Sequence, residues 1–315
     1  MYEELLQLDP IRINFSASGM HIINIILSFI MFGVALSIKP REFKNILKNP
    51  RSTIVGLASQ IIALPFVTFL LIILLNKYIT PTVAMGMILV ASCPGGNISN
   101  FMSSLSKANT ELSVSLTAFT TLLATITTPL NFKIWGSLYS KYVSTHAAGH
   151  IVKPLEIDNG QMFETVFILL GIPLIAGILF AHFLPKITEK LKKPIQILSI
   201  FFFIAMIVLA FMNNLDLFLK YIFYIFFIVL IHNILALTTG FSLASLFKLP
   251  NADRRTLTIE TGIQNSGLGL VLLFNPKIFP TELALGGMLF ITAWWGIWHI
   301  ISGLSISFYW NKRNP

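Results

Sequence analysis

Apolar runs long enough to cross a bilayer recur along almost the whole of this sequence. A membrane-spanning helix needs about 20 predominantly apolar residues, and the chain of 315 residues is 55% hydrophobic. The runs predict an all-α polytopic membrane protein with nine transmembrane helices at 17–38, 53–75, 81–106, 110–138, 160–184, 194–213, 217–247, 255–275 and 281–310. Only 11% of the residues are charged, against roughly 25% in a soluble domain. A soluble enzyme and a disordered chain are therefore excluded.

The net charge of +9 reflects 22 basic against 13 acidic residues, and the basic residues are unevenly distributed among the predicted loops. Assigning alternate loops to one side of the membrane places 15 of the 22 Lys and Arg residues on that side. Cytoplasmic loops carry the excess of basic residues, so we expect a cell-membrane protein with an external amino terminus and a cytoplasmic carboxyl terminus. No basic run is interleaved with aromatic residues, so no nucleic-acid partner is expected. The expected partners are the lipid bilayer and a small solute, with no obligatory protein partner.

The third predicted span is interrupted near its middle by a short polar sequence. Residues 92–100 read SCPGGNISN. Proline removes a backbone donor and clashes with the preceding turn, and glycine destabilises a helix. These residues predict a break at 93–97. In hydrocarbon the freed backbone groups are tolerated only where they line a cavity or bind a ligand.

The eighth predicted span carries a second interruption of the same kind. Residues 260–267 read ETGIQNSG, which predicts a break at 261–267. Glu260 is the one acidic residue that the span assignment places deep in the membrane, and an intramembrane carboxylate is by default a functional-site hypothesis. Spans three and eight run in opposite directions, and each is second in a set of three. This pattern is typical of transporters built from inverted repeats, with the binding site at the breaks.

The residue types at the two breaks indicate which solutes they suit. Side-chain oxygens of Ser, Thr, Asn, Gln and Glu, together with freed carbonyls, suit a small hard cation. The amino ends of the half-helices point amide groups and a positive dipole at an anion. The two features together predict a cation-coupled carrier of an organic anion.

These motifs resemble those of the bile acid:sodium symporter family. The resemblance is carried by CPGGNISN at 93–100 and ETGIQN at 260–265, with SQIIALP at 59–65 and LSVSLT at 112–117 in support. Nine helices with an external amino end are similar to the animal bile acid carriers. The resemblance implies a core domain of two crossing broken helices and their neighbours, which moves against a smaller panel domain by alternating access.

The resemblance also implies a division of the chain into four segments. Residues 1–52 would form the external amino terminus, the first panel helix and a cytoplasmic loop, and residues 53–138 the first half of the core. Residues 139–213 would form an external loop and the fifth and sixth spans, which complete the panel. Residues 214–315 would form the second half of the core and the cytoplasmic carboxyl terminus.

The resemblance implies two sodium sites and a neighbouring substrate site. The first sodium site would use Ser99, Asn100, Ser113, Thr117 and Glu260. The second would use Glu260 again, the side chains of Gln60 and Gln264, and the backbone carbonyls of Thr261 and Ile263. The substrate would contact Asn97, Asn265 and His299. The implied solutes are a bile acid, a steroid conjugate or a small carboxylate such as pantoate, transported with two Na⁺ ions.

Three other functions are alternatives to sodium-coupled transport. An arsenite or metalloid efflux carrier would use a thiol near the first break, where Cys93 stands. A proton-coupled carrier of organic anions would use Glu260 as its titrating group. An intramembrane hydrolase needs a nucleophile with a base, and neither G-x-S-x-G nor H-E-x-x-H occurs in the chain. We therefore expect the protein not to be an enzyme.

Overall fold

The chain is helical throughout the part that the computed structural model describes. That part comprises residues 1–11, 17–36, 38, 50–146, 159–212, 215–280 and 282–313. Within it no β-strand is formed, and Gly95 and Gln264 form an isolated antiparallel β-bridge.

Fourteen α-helices are present in the described ranges. Helices α1 to α7 are Tyr2–Leu5, Ala17–Ala35, Pro50–Ala58, Leu64–Leu75, Pro81–Ser92, Ile98–Leu105 and Thr110–His146. Helices α8 to α14 are Asn159–Val166, Ile172–Phe183, Pro185–Met212, Leu215–Leu246, Asn251–Gly262, Ser266–Leu273 and Gly286–Asn311. Two π-helical turns, Ser59–Ala63 and Phe167–Gly171, join α3 to α4 and α8 to α9.

Five helical stretches among the described residues are long and apolar enough to cross a membrane. They are Pro50–Leu75, Thr110–Thr145, Phe163–Phe183, Leu219–Leu246 and Gly286–Asn311. The third and eighth predicted spans are absent from this set because each is divided into two shorter helices. The predicted spans 17–38 and 194–213 overlap α2 and α10. The protein is thus a helical membrane protein, and the count of nine crossings stays a prediction.

In each divided span, the first helix ends at or just before the proline and glycine residues of the break. Helix α5 ends at Ser92, and Cys93 is already extended, with φ −74° and ψ 156°. The residue before a proline avoids the helical region, and Pro94 follows immediately. Helix α12 ends at Gly262, and Ile263 leaves the helical region with φ −113° and ψ 84°.

The largest buried cluster joins the two halves of the chain. Helix α14 packs along α5, and α11 packs along α12 and α14. Close approach of α5 and α14 requires a residue without a side chain, because a Cβ on Gly86 would lie 2.8 Å from the Cα of Met288. Trp295, Phe290 and Tyr221 are among the largest fully buried side chains of this cluster. On the other side of the molecule, α2 packs against α9 and α10.

The first turn of α12 is tied to two helix amino ends by a buried carboxylate. Asp253 accepts hydrogen bonds from the Ser52 hydroxyl at 2.5 Å and from the Asn109 side-chain amide at 2.8 Å. Ser52 lies in the first turn of α3, and Asn109 precedes α7, where its Oδ1 accepts from the Leu112 amide at 3.0 Å. A negative charge at helix amino ends is favoured by the helix dipole.

The neighbouring Arg255 binds two helix carboxyl ends in the complementary manner. Its Nη1 donates to the Ser106 carbonyl at 2.8 Å and to the Trp310 carbonyl at 3.3 Å, and both of its Nη atoms reach the Arg313 carbonyl. The guanidinium also stacks 5.7 Å from the centre of the Trp310 ring. These carbonyls lie at the ends of α6 and α14, where a cation is favoured. We call Asp253 and Arg255 the α12 clasp, since they connect α12 to the ends of four other helices.

The α12 clasp should contribute measurably to stability. Arg255→Met removes a charged donor shared by three carbonyls, which should cost about 2 kcal/mol. The matched control is Lys312→Met, at an exposed lysine close to the same helix end, and a change of less than about 0.5 kcal/mol is expected there. Thermal unfolding of the purified protein in detergent should show a lower Tm for Arg255→Met alone. Equal Tm values for the two variants would contradict the role of the clasp.

Candidate ion and solute site

The two chain breaks cross each other and are joined by reciprocal backbone hydrogen bonds. The Gly96 amide donates to the Ile263 carbonyl at 2.7 Å, and the Asn265 amide donates to the Pro94 carbonyl at 2.8 Å. These bonds pair backbone groups that the ends of α5 and α12 leave free. Such pairing is needed because hydrocarbon offers no hydrogen-bond partner to a free backbone group. The crossing therefore places residues 94–96 directly beside residues 263–265.

A buried asparagine of α11 satisfies a further backbone group at the crossing. Asn233 is fully buried, and its Nδ2 donates to the Gly262 carbonyl at 2.8 Å. The carbonyls in the last turn of a helix have no partner within the helix, so this side chain supports the end of α12. Asn233 was not among the predicted site residues. The available signal was the polar pair His232-Asn233 in the middle of a largely apolar span.

Glu260 lies in the interior, one turn before the second break, and is surrounded by hydroxyl groups. The hydroxyls of Ser99 and Ser113 donate to its Oε1 at 2.5 Å each, and Thr117 donates to its Oε2 at 3.0 Å. The Oδ1 of Asn100 lies 3.0 Å from the Ser113 hydroxyl and 3.2 Å from the Thr117 hydroxyl. The structure thus brings together all five residues of the predicted first site, from α6, α7 and α12.

The predicted second site includes two buried glutamines, Gln60 and Gln264. Gln60 is 2% exposed, and neither its Oε1 nor its Nε2 has a hydrogen-bond partner among the described residues. Gln264 donates from Nε2 to the Thr261 carbonyl at 2.8 Å, which leaves its Oε1 without a donor in the same part of the chain. A Cβ on Gly95 would lie 2.8 Å from Glu260 Oε2 and 2.9 Å from Gln60 Oε1. The two oxygens therefore face one position at Gly95.

A π-helical turn carries Gln60. The turn spans Ser59–Ala63, just before Pro65. Pro65 has no amide hydrogen to donate to the Ile61 carbonyl four residues earlier, and Asn131 of α7 donates to that carbonyl instead, at 2.9 Å. Within the turn the Ser59 hydroxyl lies 2.7 Å from the Thr261 hydroxyl of α12. Such turns are frequent at functional sites, and this one contacts α12 just before the second break.

The donor set suits a small hard cation. Glu260 forms no ion pair with a basic side chain of the described residues, and its neighbours contribute neutral oxygens. No group of three or more His, Cys, Asp or Glu side chains in the described ranges is arranged to hold a metal ion. Hard cations such as Na⁺ and Ca²⁺ bind oxygen ligands, and soft or transition metals prefer sulfur and imidazole. A single carboxylate with neutral oxygens matches a monovalent cation better than a divalent one in charge.

Two of the predicted substrate residues, Asn97 and Asn265, flank the crossing, and no hydrogen bond joins any two of the three predicted substrate residues in the described structure. Asn97 precedes α6 and is exposed. Asn265 precedes α13 and is half-buried, and its Oδ1 accepts from the Leu268 amide at 3.0 Å. His299 of α14 is buried, and its Nδ1 has no partner among the described residues.

Cys93, the thiol considered for metalloid transport, lies at the end of α5 and faces its own helix. Its Sγ donates to the Leu89 carbonyl at 3.3 Å, and the residue is buried. The Sγ would also lie 3.6 Å from a Cβ on Gly269 of α13. These contacts are those of a small packing residue between α5 and α13.

Comparison with known proteins identifies the family. A sequence model of the Sodium Bile acid symporter family matches residues 24–221, more than half of the chain. The chain belongs to this family. Its members include sodium-dependent transporters, and the names of the relatives are those of transporters and not of enzymes. The resemblance inferred from the two breaks is therefore confirmed, as is the expectation that the protein is not an enzyme.

Three relatives show how far the similarity extends. An uncharacterized sodium-dependent transporter of Bacillus subtilis, YocS, is 31% identical over 92% of this chain and 83% of its own length. The mouse P3 protein is 31% identical over 73% of this chain, but the match spans only 46% of the P3 protein. The rat sodium/bile acid cotransporter 5 is 27% identical over 86% of this chain and 59% of its own length. The chain thus spans about half the length of two of these relatives.

The close approach at Gly95 gives a sharp test of the site. For the parent protein we expect a higher Tm in Na⁺ than in K⁺. In Gly95→Ala the new methyl group would stand under 3.0 Å from Glu260 Oε2 and Gln60 Oε1, so this variant should lose most of that difference in Tm. In Gly96→Ala the nearest atoms, carbonyl oxygens of the second break, are 3.4 Å away, which is ordinary contact. That variant should keep the difference. Loss of the sodium effect in both variants, or in neither, would contradict the geometry.

Proposed function

We propose that this protein is a sodium-coupled symporter of an organic anion, with two Na⁺ ions transported per cycle. The observation that carries the proposal is Glu260, a fully buried carboxylate with three hydroxyl donors and no basic partner among the described residues. A lone buried charge is costly. Bound cations would offset that cost, so the buried carboxylate favours cation binding.

The first Na⁺ would bind among the oxygens that already surround Glu260 Oε1. The hydroxyls of Ser99, Ser113 and Thr117 point their protons at the carboxylate in this structure, and each hydroxyl oxygen also has two lone pairs. Rotation of the hydroxyls would present these lone pairs to the ion. Asn100 Oδ1 would complete the set as a neutral ligand. Ser113 and Thr117 are four residues apart on α7, so both face the ion from one side of that helix.

The second Na⁺ would bind where Glu260 Oε2 and Gln60 Oε1 face one position. Gln264 Oε1 would be a third side-chain ligand. The carbonyls of Thr261 and Ile263 would complete the site. The Ile263 carbonyl already accepts from the Gly96 amide, but a carbonyl oxygen has a second lone pair for the ion.

Charge balance then explains why an anion is transported together with the cations. Two Na⁺ ions beside one carboxylate leave one positive charge at the crossing. The amino ends of α6 and α13 point amide groups at the same region, which favours an anion. Filling of the cation sites would therefore raise the affinity for the anion, and binding of the anion would raise the affinity for Na⁺ by the same factor.

The transported solute is proposed to be an organic carboxylate or sulfate. Asn97 and Asn265 would donate side-chain amides to it, and His299 would contact it from α14. The name of the rat relative supports a bile acid as one class, and a steroid conjugate would be bound in the same way. A small carboxylate such as pantoate is the other. Arsenite efflux is not favoured, because the Cys93 thiol faces its own helix.

Transport would proceed by alternating access in the cell membrane. A core of α3 to α7 and α11 to α14 would move against a panel of α2 and α8 to α10. The amino terminus would lie outside and the carboxyl terminus in the cytoplasm, across nine spans. The crossing would stay intact during this motion, because its backbone bonds join two segments of the same core.

Uptake in proteoliposomes tests the function. With an inward Na⁺ gradient at fixed pH, we expect uptake of at least one radiolabelled organic anion from a panel of bile acids, steroid sulfates and small carboxylates. The physical reason is that each Na⁺ moved down its gradient supplies free energy to the coupled anion. Replacement of Na⁺ by choline should abolish uptake. Equal uptake in choline would contradict sodium coupling, and an added dependence on the proton gradient would favour the proton-coupled carrier.

Substitutions of equal shape should separate the two cation sites. Thr117→Val removes a ligand of the first site only, and Gln60→Leu one of the second, so each should lower the Hill coefficient for Na⁺ from near two toward one. Glu260→Gln should abolish the sodium response, because both ions lose their one full negative charge. The control is Thr120→Val, one turn further along α7, since the Thr120 hydroxyl donates to the Leu116 carbonyl of its own helix. A full sodium response in Glu260→Gln would overturn the assignment.

A further inference from the structure

One face of α10 is exposed from Lys186 to Val208 and changes from basic to apolar part-way along. Residues spaced three and four apart share one side of a helix. The exposed residues on this side are Lys186, Lys190, Lys193, Ile197, Phe201, Ile204 and Val208. We call this set the α10 stripe. Its first three members are lysines, and the remaining four are apolar.

The opposite side of α10 packs on the protein. Thr188 and Ser199, which lie about half a turn away from the stripe, are buried. Gly33 of α2 leaves room for Ile195, since a Cβ there would lie 2.8 Å from the Ile195 Cγ2. The stripe is therefore the outward face of a helix that is anchored from behind by α2 and α9.

The apolar part of the stripe can be followed from Ile197 to Val208, over which the helix rises about 16 Å. The sequence of α10 stays apolar beyond Val208, as far as Met212, so this face lies within the roughly 30 Å hydrocarbon core of a bilayer. The four apolar members are 45% to 63% exposed. The lysines begin one turn beyond Ile197, which places their ammonium groups at the level of the lipid headgroups, because lysine inside hydrocarbon is costly.

The lysines of the stripe are available to bind an anion. None of Lys186, Lys190 and Lys193 forms an ion pair within the described residues. Glu189 is the one acidic residue between residues 185 and 212. It is three residues from Lys186 and four from Lys193, the spacings of neighbours on a helix, but it forms no ion pair with either lysine. A shallow groove lined by Lys193, Pro194, Ile197, Leu198 and Phe201 continues the surface from the last lysine into the apolar part.

We propose that the α10 stripe is a binding site for an anionic phospholipid of the adjacent leaflet. The phosphate would bind the ammonium groups of Lys186, Lys190 and Lys193. One acyl chain would lie in the groove against Ile197 and Phe201. The order of the surface matches that of the lipid, with the charge first and the apolar chain below it. An acidic peptide would satisfy the lysines but would leave the adjoining apolar groove at Ile197, Leu198 and Phe201 unmatched.

Direct measurement of lipid binding tests this site without reference to transport. The delipidated protein in detergent is titrated with dioleoyl phosphatidylglycerol or with dioleoyl phosphatidylcholine, and bound lipid is counted by native mass spectrometry. We expect tighter binding of phosphatidylglycerol. The triple variant Lys186→Gln, Lys190→Gln, Lys193→Gln should lose that preference, by about fivefold for each lysine removed.

Matched controls make the outcome decisive. Lys107→Gln, Lys248→Gln and Lys312→Gln together remove the same charge from exposed lysines outside α10, and that variant should keep the preference. The single variant Lys193→Gln should lose part of it and serves if the triple variant is poorly folded. Three outcomes would overturn the proposal: no preference in the parent protein, an equal loss in the control variant, or equal competition by soluble glycerol phosphate.

Discussion

The structure depends on keeping the Glu260 carboxylate in the interior of a membrane protein. Three hydroxyl donors from α6 and α7 surround it, and the unpaired Oε1 of Gln60 faces the same position at Gly95 as the carboxylate does. Hydroxyl donors stabilise a buried carboxylate only in part, since each is neutral. A cation fits the remaining charge, and the membership of a sodium-dependent transporter family agrees with Na⁺ as that cation.

The crossing of the two breaks solves a second problem of the same interior. Helix ends leave carbonyl and amide groups free, and hydrocarbon offers them no partner. Here the breaks satisfy each other through Gly96 with Ile263 and Asn265 with Pro94, and Asn233 satisfies one more carbonyl. The same short segments can then present further carbonyl oxygens and helix amino ends to solutes. Irregular backbone is thus tolerated at the place where the proposed binding occurs.

The α12 clasp extends this argument to the other end of the helix that carries Glu260. Half-helices are short and make few hydrogen bonds of their own, so their position depends on neighbours. Asp253 meets helix amino ends and Arg255 meets helix carboxyl ends, each with the charge that the helix dipole favours. Helix α12 is therefore fixed at one end by charge and at the other by backbone pairing.

The sequence by itself determined the features that depend on neighbouring residues along the chain. Apolar runs set the helices, and Pro94 with two glycines set the end of α5. The spacing of Ser113 and Thr117 placed both on one face of α7. Only the tertiary structure decided which distant groups meet: Ser59 with Thr261, Asn233 with Gly262, and the α12 clasp with its four helix ends. Their partners lie 29 to 202 residues away in the chain, and such contacts depend on how each helix is rotated and packed, which no local pattern of residue types specifies.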